Sequence, residues 1–362
     1  MSEVQIVPRR KRNLLRWIAG ALAIIGMGLV ALTFWFAGVS VGNDDPLFHG
    51  KPESEWIKSL KYSDDQQVKE WRSYGEEGVQ VLIRGLEHAN HPGERAYRQF
   101  YRRTPAFLMR WLPAPKQDST RAKRMELVSL LSSLGNDATN ATAIMIRTLT
   151  HDEDASVRQS TINFFTGSED EKCLLNQLPA REKRKLVPAL IRGLQDTGNW
   201  GLRNNAANAL KWIPEEKIVV APALVTALQD PQPQVRLLAA QALNRVDPDT
   251  AKKVGAVSVI LAVAKNPDDQ VAARAISGLR NFKNEPDAVV PVLIELLEST
   301  NTLVGCEAVW ILEWSGREFR SYSNSVVPAL AKAAERKDNV GRYAKVALKR
   351  FQSGGDPTKA IK

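Results

Sequence analysis

Cysteine is nearly missing from this chain. Cys173 and Cys306 are the two thiols in 362 residues, which excludes a disulfide scaffold. Histidine is scarce too, limited to His49, His88, His91 and His151. No cysteine lies near any of them, and no zinc-site spacing is matched. His88 and His91 have helical ligand spacing, but Asn90-His91-Pro92-Gly93 reads as a turn, because proline pushes the preceding residue out of the helical region. They read as turn or solvent histidines, so no metal is expected. No glycine-rich phosphate loop follows a strand, since strands are not evident. No Ser/His/Asp or Cys/His arrangement is suggested. Catalytic residues and cofactors are therefore expected to be none. Acidic pairs such as Asp64-Asp65 and Asp268-Asp269 are accounted for as helix caps at the positive end of the dipole.

Charge is also missing in one place. Between Trp17 and Asn43 there is no charged residue, and residues 18–41 are almost wholly apolar. As a helix this stretch spans about 36 Å, enough for a hydrocarbon core of about 30 Å. Trp17, Trp35 and Phe36 fall near its ends, where aromatic rings favour the membrane interface. It is longer than the apolar region of a signal peptide, so an uncleaved transmembrane anchor is expected. Gly38-Val39-Ser40 leaves cleavage as the alternative. Arg9, Arg10, Lys11, Arg12 and Arg16 precede the span, and Asn43-Asp44-Asp45 follows it. Basic residues stay on the cytoplasmic side. The expected topology is a basic cytoplasmic tail over 1–17, the anchor over 18–41, a linker over 42–51 and a periplasm-like location for everything after it.

What the chain has in quantity is repetition. Leu186-Val-Pro-Ala-Leu-Ile-Arg-Gly-Leu-Gln-Asp196 is echoed by Val220-Ala-Pro-Ala-Leu-Val-Thr-Ala-Leu-Gln-Asp230. Pro188, Pro222, Pro291 and Pro328 are separated by 34, 69 and 37 residues, close to one period, two and one. Such a period indicates stacked helix pairs. The first helix of each pair is expected to begin near its proline, which suits a first turn. Apolar residues then recur at helical spacing, as in Val187, Leu190, Ile191 and Leu194. Second helices carry Ala206, Ala207, Ala239 and Ala240, small enough for close approach. Trp212, Trp310 and Trp314 are expected in the core.

The Asp-x(4)-Val-Arg-x-x-Ala-Ala-x-Ala-Leu run from Asp230 to Leu243 resembles the HEAT-repeat family. Looser versions stand at 152–158, 202–210, 271–279, 304–312 and 340–348. The lead-in Gly50-Lys-Pro-Glu-Ser-Glu-Trp56 is similar to that of bacterial membrane-anchored HEAT proteins. The resemblance implies an all-α, right-handed α-solenoid of about seven HEAT-like helix pairs, preceded by one transmembrane helix. Degenerate repeats are expected over 52–165, an inserted loop over 166–185, regular repeats over 186–352 and a flexible tail over 353–362. The family implies a ladder in which Arg158, Arg203 and Arg236 meet aspartates of adjacent turns, among them Asp152, Asp196 and Asp230. Ala272, Gly305 and Gly341 replace the arginine in later units.

Net charge is +10. Between Arg95 and Arg124 nine basic residues face one acid, Asp118, with Tyr97, Phe100, Tyr101, Phe107 and Trp111 interleaved. Arg95, Arg98, Arg102, Arg103 and Arg110 are candidates for an anion or partner patch. The competing reading is a solvated helix with inward aromatics and snorkelling arginines. The family implies a protein partner on the concave face, where Asn204, Asn208, Gln241, Ser277 and Arg274 make a polar stripe. A membrane-anchored, non-catalytic interaction scaffold is thus expected, held in the bilayer by residues 18–41. Anionic lipid or another polyanion is a further candidate ligand for the basic segment. Nucleic acid binding would need basic residues on successive second helices, and losing arginine at 272, 305 and 341 argues against it. A lyase-type HEAT protein acting in cofactor or protein maturation is the other alternative.

Overall fold

A computed structural model of the chain describes residues 45–89, 101, 103–105, 109, 117–167, 173–264, 266, 268–282, 285–314 and 319–353. These residues are helical apart from one hairpin, and they divide into two units, 1–144 and 145–362. The span 18–41, the basic tail before it and the tail from 354 lie outside the described residues. Among the described residues no helix is long and apolar enough to cross a membrane.

The first unit opens on strands β1 (Leu47–Phe48) and β2 (Lys51–Pro52), paired antiparallel. His49 and Gly50 turn between them with φ of 48° and 76°, the left-handed pair that a tight hairpin requires. Helices α1 (Glu53–Ser59), α2 (Asp65–Ser73), α3 (Gly75–Ala89) and α4 (Gln117–Leu134) follow. Asp64 caps α2 by accepting from the amides of Gln66 and Gln67. The hairpin buries Phe48. Its ring stacks on Trp71 at 6.0 Å and meets the edges of Trp56 and Tyr74 at 5.7 and 5.1 Å. The Trp56 indole N–H donates to the Phe48 carbonyl at 2.8 Å, satisfying the polar end of a half-buried aromatic. Glu53 is buried and holds Arg84 in a two-pronged pair. Leu82, Leu86, Leu127 and Leu131 form the apolar seam between α3 and α4.

The second unit is a stack of helix pairs. Helix α5 (Thr142–His151) precedes α6 (Ala155–Thr166), and a short α7 (Leu174–Gln177) leads to α8 (Ala180–Leu194) and α9 (Trp200–Leu210). Next come α10 (Lys217–Ala227), α11 (Pro233–Val246) and the short α12 (Pro248–Lys253). The series closes with α13 (Ala256–Ala264), α14 (Asp269–Gly278), α15 (Pro286–Leu296), α16 (Thr302–Trp314), α17 (Ser323–Ala333) and α18 (Asn339–Ser353). Second helices pack side by side, α6 on α9, α9 on α11, α14 on α16 and α16 on α18. Between α11 and α14 this contact thins, and α11 packs chiefly on α13 instead. Asp154, Asn199 and Asp268 cap α6, α9 and α14.

Two expectations about this unit are corrected. Pro188, Pro222, Pro291 and Pro328 lie inside α8, α10, α15 and α17, not in their first turns. An interior proline removes one helical hydrogen bond and crowds the carbonyl four residues back. Here all four prolines are exposed, as are Arg184, Ile218, Asp287 and Asn324 four residues earlier, so water can take up the freed carbonyls. The stretch 166–185, expected as a loop, contains α7 and the first turns of α8. Lys183 fixes that early start. Its buried ammonium donates to the Trp212 carbonyl at 3.3 Å and pairs with Glu215 at 3.0 Å.

Candidate interaction surface

The site is built from the spacing of the second helices. Arg158, on α6, donates to the Asp152 and Glu153 carbonyls of its own turn and reaches the Asp196 carboxylate of the next turn at 3.1 Å. Arg203, on α9, donates to the Asp196 carbonyl at 2.9 Å and takes both oxygens of Asp230 at 2.6 and 3.0 Å. Arg236, on α11, donates to the Asp230 and Pro231 carbonyls. Each aspartate also accepts from amides of its own turn, Asp196 from Gly198 and Asn199, and Asp230 from Gln232. A planar guanidinium with five donors is suited to satisfying two turns at once. The hydrogen bond to Asp230 raises the pKa of Arg203 further, against the opposing effect of burial.

The rungs end at Arg236, and in the last two units local crowding leaves no room for one. A Cβ on Gly305 would come within 2.7 Å of Val340 Cγ2. At Gly341 the space for a Cβ is filled by the carbonyl of Arg336. Arg336 makes the link itself, in reverse. From the end of α17 it donates back to the Leu297 and Ser299 carbonyls at 2.8 and 2.9 Å and pairs with Asp338 at 2.6 Å. The repeat signature does not contain position 336, so sequence reasoning missed it.

Held in this register, the second helices turn the same positions outward. Asn163, Asn208, Gln241 and Ser277 occupy equivalent places, five residues after the rung position, and none is buried. Asn204 donates to Asn205 at 3.3 Å, and Asn205 donates to Asn163 at 2.8 Å, so the amides of α6 and α9 are linked across the two helices. Arg274 is exposed on α14. At the same place on α16 and α18 stand Trp310 and Val346, so the stripe changes from polar to apolar. Trp212 is 5% exposed, whereas Trp310 and Trp314 are 47% and 49% exposed. The core placement expected for Trp310 and Trp314 is therefore corrected. The reason lies in what covers each ring. The Arg245 guanidinium sits 4.1 Å from the centroid of Trp212, a cation–π contact, while Arg350, at the equivalent position beside Trp314, pairs with Glu313.

Other candidates are placed as follows. Cys173 and Cys306 are free thiols, and burial raises the pKa of both. Among the described residues no group of three or more His, Cys, Asp or Glu is arranged to hold a metal. Of the basic patch, Arg103 is described and is exposed. Arg95, Arg98, Arg102 and Arg110, like Arg9, Arg10, Lys11, Arg12 and Arg16, lie outside the described residues.

Paired helices stacked in register, joined turn to turn by arginine, define a helical-repeat protein. Residues 174–244 and 257–349 match the family model for HEAT repeats, so this part of the chain is built of HEAT repeats. No curated protein matches it. Among solved structures it is similar to the complex of CpcE and CpcF of phycocyanin lyase from Nostoc sp. PCC7120, at 18% identity over 59% of this chain and 94% of that one, TM-score 0.33. It is similar to YibA of Escherichia coli at 19% identity over 84% of this chain and 99% of that one, TM-score 0.42. It is also similar to Kap95p, which binds RanGDP, at 12% identity over 90% of this chain and 39% of that one, TM-score 0.45.

Proposed function

We propose that this chain is a non-catalytic scaffold, anchored in a membrane through residues 18–41, that binds a protein partner along the exposed face of its second helices. The observation that carries the reading is the stripe itself. Amide side chains at Asn163, Asn204, Asn208 and Gln241 offer both donors and acceptors, which suits peptide groups better than a charged ligand. The stripe continues into half-exposed tryptophans, a residue type enriched where partners dock. Support for the anchor is the charge-free apolar span, and support for an extracytoplasmic repeat array is the basic cluster before it. Two experiments test this. A phosphatase fused after Lys362 should be active and a cytoplasmic reporter inactive; the opposite result removes the topology. Affinity capture from membranes should recover a partner with the full-length chain and less of it with a chain starting at Asn43; equal recovery removes the anchor's role.

A second reading rests on Arg95–Arg124, where nine bases meet one acid. Here the segment binds anionic lipid headgroups or another polyanion. Replacing Arg98, Arg102 and Arg103 by Gln should weaken association with anionic vesicles most strongly at low salt. Unchanged association rejects it.

A further inference from the structure

Trp310 and Trp314 stand one turn apart on α16, their ring centroids 5.8 Å from each other. On α18, Tyr343 and Val346 are 40% and 43% exposed. The two helices run side by side in the same direction, because Gly305 lies against Val340 near their starts and Glu313 pairs with Arg350 near their ends. That register puts Val346 level with Trp310. The four side chains are therefore one apolar surface and not scattered exposures, which would need no explanation.

The array also shows how it covers a tryptophan when the ring is structural. Trp212 and Arg245 occupy the ninth position after the rung in consecutive repeats, and the guanidinium lies over the ring. Trp314 and Arg350 occupy the same two positions. There Glu313 takes the arginine, and the ring is left half open.

The surroundings select the occupant. Over its whole length α18 carries Arg342, Lys345, Lys349 and Arg350 and no acid. On the other flank, α14 exposes Arg274, and Arg280 is exposed in the 3-10 turn that follows it. Between them α16 offers Glu307 and Glu313, the second already paired. A second copy of this chain would set this basic surface against another like it, which repels. An apolar centre with a basic rim instead fits an acidic segment with bulky apolar side chains. Resting on the scaffold reading above, we infer that the α16–α18 face seats an acidic peptide segment of the partner protein. Its apolar side chains cover Trp310 and Trp314, and its carboxylates meet the arginines and lysines on either side.

The test uses full-length protein and two fluorescein-labelled amphipathic peptides with identical Leu and Phe positions, one with Glu and one with Lys at every polar position. Fluorescence anisotropy should show the Glu peptide binding at least about tenfold more tightly than the Lys peptide, an advantage that shrinks in high salt. W310A/W314A should weaken Glu-peptide binding about tenfold or more. K345E/K349E, which spares both tryptophans, should also weaken it. Circular dichroism melts confirm that each variant is folded, and protection of tryptophan fluorescence from acrylamide by the Glu peptide locates the contact in the wild type. Equal binding of the two peptides, or Glu-peptide binding indifferent to both double variants, overturns the proposal. So does variant-sensitive binding of phosphatidylglycerol vesicles in place of the peptide, which makes the face a lipid contact. If capture of a membrane partner survives W310A/W314A while the peptide fails to bind, the scaffold reading stands and this one falls. If the Glu peptide binds in a variant-sensitive way but no partner is captured, the docking face stands and the scaffold reading falls.

Discussion

Arg203 and Arg72 make superficially similar ion pairs, and burial separates them. The Arg203 and Asp230 side chains are 10% and 7% exposed, those of Arg72 and Asp137 50% and 55%. Removing one member of a buried pair leaves an uncompensated charge and costs about 3–5 kcal/mol, whereas an exposed pair is worth about 0–1 kcal/mol. Arg203→Ala should therefore lower unfolding free energy in urea by several-fold more than Arg72→Ala; equal effects would contradict the burial argument. Glu285 poses the opposite problem. Burial raises its carboxyl pKa above the ordinary glutamate value, nearby Lys252 only partly offsetting this, and among the described residues Oε1 has no hydrogen-bond partner. An acid raised in the folded state favours folding only while protonated, so its contribution is lost as pH rises through the folded value. Glu285→Gln should raise the melting temperature at pH 7, and the gain should vanish near pH 4, where the native carboxyl is itself neutral. A gain that persists at pH 4 would mean packing, not ionisation, is responsible.

At the scale of helices, two glycines predict opposite outcomes. A Cβ at Gly341 meets a backbone carbonyl, that of Arg336, while one at Gly278 meets the movable end of Gln241. Gly341→Ala should cost about 1–3 kcal/mol as overpacking. Gly278→Ala should fall within about 1 kcal/mol of wild type, because Gln241 can swing aside and alanine favours the helix. Urea denaturation of the two variants decides it. The same contrast shows what could be read in advance. The 34-residue spacing of Pro188 and Pro222 revealed the repeat, since period survives in sequence. Helix starts did not survive so well. Tertiary contacts of Lys183 extend α8 upstream, and exposed carbonyls let prolines sit inside helices. Arg236 and Asp230 belong to a recognisable motif, whereas Arg336 works through backbone carbonyls, which no motif encodes. Trp212 and Trp314 were indistinguishable by position. Arg245 and Lys211 both lie over the buried ring, whereas the arginine beside Trp314 is drawn to Glu313.

For the second unit as a whole, two interruptions coincide. The rungs stop at Arg236, and the contact between second helices thins between α11 and α14. Stability in a stacked array is a sum of repeat and neighbour terms, so a weak neighbour term divides it. Cys173 lies before the interruption and Cys306 after it, which makes them natural reporters. Thiol labelling across a urea gradient should give different midpoints for Cys173 and Cys306. A single shared midpoint would show that α13 carries the coupling across.

The reversed link at Arg336 has a consequence for descent. Any side chain at position 341 requires space that the main-chain carbonyl of residue 336 fills, and that carbonyl is present whatever side chain residue 336 carries. Among relatives of this chain that keep this turn, glycine should therefore persist at 341 even where the arginine at 336 is replaced. A lineage that regains the family arginine at 341 should have rerouted the backbone between the last two helices, because changing the side chain at 336 alone does not open the space.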